Sequence, residues 1–163
     1  MKESERAEAA ALKNPADLAN RLELAEPERL LLVDAPGALR RLIEEQRGSD
    51  RPAETIAGDA VRSVKETFDA ALVWREDRQG SRALLDRVAA RLDERSATLW
   101  AVTAMRKVQG PRTPAVRRLE LADFVAAFSK RGLLYDREAR FTAWHVGYRF
   151  VRGGIGRVVA GRP

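Results

Sequence analysis

The chain has no cysteine and a single histidine, His145. Without thiols there is no disulfide framework, no thiolate zinc site, no iron–sulfur cluster and no cysteine nucleophile. One imidazole excludes a two-histidine mechanism and most histidine-rich metal sites. Long apolar runs are missing too. Leu30 to Val33 and Leu99 to Val102 fall far short of the ~18 consecutive apolar residues of a membrane span. The N-terminal MKESERAEAAALKNPADL is charged where a secretory signal carries its apolar core. A cytoplasmic protein with no membrane segment is expected. Aromatic residues are scarce at 6%, and none falls between Ala104 and Arg118. That basic stretch therefore lacks the stacking platforms of a single-strand nucleic-acid binder.

What is present suits one folded domain. The chain has 163 residues, 45% of them hydrophobic and 33% charged, which excludes disordered and collagen-like classes. A chain this long buries enough surface to fold without a metal or a disulfide. The net charge is +6, and it is unevenly placed. Up to Thr103 there are 17 Lys and Arg against 20 acids, and after it 13 against 4. A basic last third attracts anions, whether a small ligand, an acidic partner or nucleic acid. Arg outnumbers Lys 25 to 5 throughout, a bias that coding composition alone produces, so nucleic acid is not the favoured partner.

Residues 1–13 read as a flexible leader, 14–152 as one domain and 153–163 as a flexible basic tail. Asn14-Pro15 opens a helix with proline at its first position. Leu18 and Leu22 share one face, and Pro27 marks its end. Leu30-Leu-Leu-Val33, closed by Asp34 and Ala35-Pro36-Gly37, reads as a strand buried on both faces. Ala38 to Arg47 is an amphipathic helix. Residues 53–66 fit a short helix or a strand. Phe68 to Trp74 reads as a second buried strand, and Ser81 as the cap of a helix carrying Leu84, Leu85, Val88 and Leu92. Ala97 to Thr103 is a third apolar strand. The basic loop follows, then a helix over Leu119 to Lys130 with Gly132 at its C-terminal turn. Leu133 to Phe141 and Thr142 to Val151 complete the pattern as two antiparallel strands. Strands alternating with helices of this length predict an α/β, Rossmann-like domain. Its sheet is mostly parallel, with helices on both faces and an antiparallel C-terminal strand pair.

An alternating sheet that closes with an antiparallel pair resembles the class I methyltransferase architecture. The fragments Leu31-Leu-Val-Asp-Ala-Pro-Gly37, Phe68-Asp-Ala-Ala-Leu-Val-Trp74, Leu99-Trp-Ala-Val-Thr103 with Arg106-Lys107, and Trp144 with Phe150-Val-Arg152 stand in order. Together they resemble a small bacterial family of unknown function with a degenerate form of that fold. The resemblance implies a cofactor crevice at Asp34, Gly37 and Glu76, with S-adenosylmethionine as the ligand of a divergent enzyme. Two departures weigh against catalysis. The acid and Gly-x-Gly turn of a working enzyme is replaced by Asp34-Ala35-Pro36-Gly37, where proline removes an N–H donor. Only 33 residues separate Asp34 from Phe68, too few for the two strand–helix units of the complete fold. The expectation is thus a truncated, non-catalytic domain that needs no cofactor. Its anionic ligand or partner would meet Arg106, Lys107, Arg112, Arg117 and Arg118 in loop 104–118. A divergent S-adenosylmethionine-dependent methyltransferase and a nucleic-acid-associated protein are the alternatives. His145 has no partner acid nearby in sequence, so its role stays open.

Overall fold

The computed structural model describes residues 12–105 and 117–152. Residues 1–11 of the leader, the tail and most of the basic loop, with Arg106, Lys107 and Arg112, lie outside the described residues. Helix α1 (Pro15–Leu22) is followed by strand β1 (Leu30–Val33), helix α2 (Gly37–Arg47) and strand β2 (Glu54–Ile56). A 3₁₀ helix (Gly58–Ser63) leads into β3 (Ala70–Trp74), α3 (Ser81–Ala90) and β4 (Ala97–Ala104). Helix α4 (Leu121–Ser129) and strands β5 (Leu134–Arg140) and β6 (His145–Arg152) complete the order. Residues 53–66, ambiguous in sequence, contain both a strand and a helix, each a single short piece. Only one full strand–helix unit therefore separates β1 from β3, as the spacing predicts.

The six strands form one sheet in the order β2-β1-β3-β4-β6-β5. Strands β1 to β4 pair in parallel, and β6 runs antiparallel to both β4 and β5. The last strand is thus interior, and β5 forms one edge of the sheet. Every residue of β1 and β3 is buried, the pattern expected when helices cover both faces. Leu30, Leu32, Leu72, Trp100 and Val102 face α1 and α2. Leu31, Val33, Val73, Leu99 and Phe150 face α3 and α4 on the other side. The result is a three-layer sandwich, with each fully buried Leu or Phe contributing roughly 1.5–3 kcal/mol.

Local chemistry sets the element ends. Helix α1 stops at Leu22 because Glu23 takes a left-handed φ of 53°, five positions before Pro27, which marks its end in the sequence pattern. The Trp100 indole N–H donates to the Leu22 carbonyl at 3.1 Å and seats the helix on the sheet. Ser81 is the first residue of α3 rather than its cap, since the capping position falls on Gly80 and Ser81 Oγ donates to the Arg78 carbonyl at 2.6 Å. Glu120 and Asp123 form a reciprocal capping box at the start of α4. Trp144, expected on a strand, lies in the turn before β6 and is half-buried. Gly147 passes so close under the Phe141 ring that a Cβ has no room. No helix among the described residues is long and apolar enough to cross a membrane.

Candidate functional site

Parallel strands place their carboxyl ends along one edge, where open α/β sheets bind ligands. Here that edge gathers Asp34 after β1, Glu76 and Asp77 after β3, Met105 after β4 and His145 at the start of β6. Asp34 adopts a left-handed φ of 57°, a conformation that Asp tolerates better than most side chains. Its carboxylate accepts the Gly58 backbone N–H at 3.0 Å, and its own N–H donates to the Ile56 carbonyl at 3.0 Å. The acid ties the end of β1 to the 3₁₀ helix. A Cβ on Gly58 would sit 2.7 Å from Asp34 Oδ2, so the two segments touch with no space between them. Asp34 makes no cap for α2. The capping position there is Pro36, with no side-chain cap bond, and Gly37 begins the helix.

Glu76 meets His145, a pairing that sequence order hides because they lie 69 positions apart. Glu76 Oε2 lies 2.7 Å from His145 Nε2, and Thr142 Oγ1 lies 2.8 Å from Nδ1. The Trp144 N–H donates to that same hydroxyl oxygen at 3.0 Å. The network closes when Thr142 donates to Nδ1 and Nε2–H donates to Glu76. His145 is 1% exposed and packs against Trp74, with ring centroids 4.6 Å apart. Thr142 is equally buried, so no substrate reaches its hydroxyl. The three groups clamp the turn before β6 to the carboxyl end of β3.

The segment 117–119 closes the same edge. Arg78 N–H donates to the Arg117 carbonyl at 2.6 Å, and Leu119 N–H to the Glu76 carbonyl at 2.8 Å. Arg117 forms an ion pair with Asp77, and Arg118 donates to the Met105 carbonyl at 3.1 Å. The Gln79 amide and then Arg117 hold the Asp77 carboxyl below its usual range. Of the five cations expected to meet an anion, the two described ones are therefore engaged by the chain itself. Arg149 and Arg152, other members of the basic C-terminal third, lie on opposite sheet faces. Arg149 pairs with Asp136 and Glu23, whereas Arg152 donates to the Asp93 and Arg131 carbonyls. These two arginines therefore share no common face. No cluster of metal-ligating side chains occurs among the described residues.

Beside this edge a groove of about 670 Å³ opens between the start of α4 and the β5–β6 hairpin. Arg118, Glu120, Glu138, Arg140 and Tyr148 bring polar atoms to it, and Leu121 and Val146 bring apolar surface. Of the residues that line it, the sequence singled out Arg118 but none on β5 or β6, because β5 and α4 meet there only through the fold.

No protein-family model matches the chain, and no curated protein matches it. Solved structures do. A SAM-dependent methyltransferase from Aquifex aeolicus aligns with a TM-score of 0.63 at 13% identity, over 86% of this chain and 90% of that one. The chain has a methyltransferase-like fold. A putative type 11 methyltransferase from Sulfolobus solfataricus aligns at 0.57 and 12% identity, over 86% and 92%. An O-methyltransferase family 2 protein from Planctomyces limnophilus, solved with apigenin, aligns at 0.60 and 18% identity. The methyltransferase-like chain spans 59% of that protein's length, so it matches part of a larger molecule.

Proposed function

We propose that this methyltransferase-like chain is a non-catalytic binding domain whose ligand or partner is anionic. The observation that carries the reading is the contact between Asp34 and Gly58, which engages the first-strand acid within the chain. Pro36 offers no N–H, one glycine remains in the turn, and Glu76 is held by His145. Asp59, the remaining acid after β2, is exposed on the 3₁₀ helix. On these contacts the residues at the carboxyl edge do not fit S-adenosylmethionine in the way the resemblance implies. With Arg117 and Arg118 occupied, the anion falls to Arg106, Lys107 and Arg112.

Calorimetric titration with S-adenosylmethionine and S-adenosylhomocysteine, with thermal melts alongside, tests the first half. A ligand at 100 times its Kd stabilises by about 2.7 kcal/mol, so binding registers as a shift of several degrees. No shift at millimolar ligand is expected. Binding that Asp34→Ala abolishes would make the chain a divergent methyltransferase, the activity for which its structural neighbours are named. Inorganic pyrophosphate tests the second half. Arg106→Gln/Lys107→Gln/Arg112→Gln should weaken its binding at least about tenfold, equivalent to ~1.4 kcal/mol. Unchanged affinity removes the loop from the reading.

A further inference from the structure

The groove beside α4 carries both signs of charge, and two of its charged side chains come from β5. Glu138 and Arg140 stand two residues apart on β5 and so project to the same sheet face, about 7 Å apart along the strand. Among the described residues the Glu138 carboxylate and the Arg140 guanidinium make no hydrogen bond or ion pair. Tyr148 sits directly across from Glu138 on β6 and lines the groove between them and α4. Burial, and then the Glu138 charge, push its phenol above the usual range, so it enters the groove as a neutral hydroxyl. The opposite wall repeats the two signs with Arg118 and Glu120, which are held by contacts within the chain.

This arrangement discriminates between ligand classes. A simple anion placed by Arg140 meets the Glu138 charge, and a simple cation placed by Glu138 meets Arg140. Like charges at such range are unfavourable. A wholly apolar guest would strip water from both charges and return nothing for it. A molecule that carries both charges on one apolar body satisfies both residues and places its body against Leu121 and Val146. We infer that the groove binds a small dipolar ion of amino-acid type, its carboxylate toward Arg140 and its ammonium toward Glu138. The volume of about 670 Å³ lies within the usual range of small-molecule sites. The inference rests on reading the chain as a binding domain, but not on the cations of loop 104–118.

Three probes that differ by one charge each provide the test: L-phenylalanine, 3-phenylpropanoate and 2-phenylethylamine. Each is titrated calorimetrically into the full chain and into Glu138→Gln and Arg140→Gln. Both substitutions fall on exposed positions of an edge strand, so folding is preserved. L-Phenylalanine should bind at least about tenfold tighter than either single-charge probe. Arg140→Gln should erase its advantage over the amine, and Glu138→Gln its advantage over the acid. Equal binding of all three, binding of none, or a preference that survives both substitutions overturns the inference. Pyrophosphate binding without L-phenylalanine binding defeats the groove alone. S-adenosylmethionine binding lost in Asp34→Ala defeats the non-catalytic reading alone.

Discussion

Arg47 is 3% exposed and has no carboxylate partner among the described residues. Its guanidinium instead donates to the carbonyls of Leu24, Pro27, Glu28 and Arg51, at 2.9, 2.6, 3.1 and 2.8 Å. One side chain thereby holds the whole connection between α1 and β1 against the end of α2. Burial, and then Arg51, lower its pKa, yet a guanidinium keeps its proton. Arg47→Met should cost about 3 kcal/mol in denaturant melts, since four carbonyls lose charge-assisted donors. Arg47→Lys should recover little of this, because an ammonium cannot span the same fork of acceptors. In sequence Arg47 is one arginine among 25, at the end of a surface helix. Burial of this kind leaves no local mark. Asp34 is the opposite case. Its place after an apolar strand was legible, while its partner Gly58 was not, because a side chain bonding to a distant backbone amide leaves no periodic trace.

At the level of elements, β1, β3 and β4 were legible because a strand covered on both faces must be apolar at consecutive positions. Helices α2 and α3 were legible from their periodicity. What failed was contact across the edge, namely the Glu76–His145 clamp and the 117–119 strap, which join pieces distant in sequence. Several joints between elements rest on carboxylates. Asp93 accepts the Arg95 and Ser96 amides at 2.8 and 3.1 Å in the turn before β4, and these bonds hold its carboxyl below the usual range. Hydrogen bonding from Arg131 of the α4–β5 connection does the same to Asp86 of α3. With Asp77, three acids have lower folded than unfolded pKa values. Their stabilisation is complete above the unfolded value of about 3.9 and disappears as pH falls through the lower folded values. Asp93→Asn should therefore melt below wild type at neutral pH. The gap should narrow below about pH 4 in thermal melts recorded across the range.

On the scale of the whole molecule, β5 forms one long edge of the sheet among the described residues. The strand bulges between Tyr135 and Arg137, and most of its residues are exposed. Two copies pairing edge to edge would set Arg137 against Arg137 in one register and Glu138 against Glu138 in the next. Like charges directly opposite disfavour both, and the bulge bends the strand away. Arg137→Thr/Glu138→Thr should accordingly increase self-association in concentration-dependent size exclusion, relative to wild type. The other consequence of this topology concerns synthesis on the ribosome. Strand β4 has β3 on one side and β6 on the other, and β6 begins only at His145. While the intervening segment is translated, one flank of the apolar run Leu99 to Val102 has no native partner. A nascent chain caught at this stage displays an unpaired hydrophobic strand, the feature that chaperones and misassembly both exploit. Native closure of the sheet is therefore a late event, timed by the emergence of the last strand.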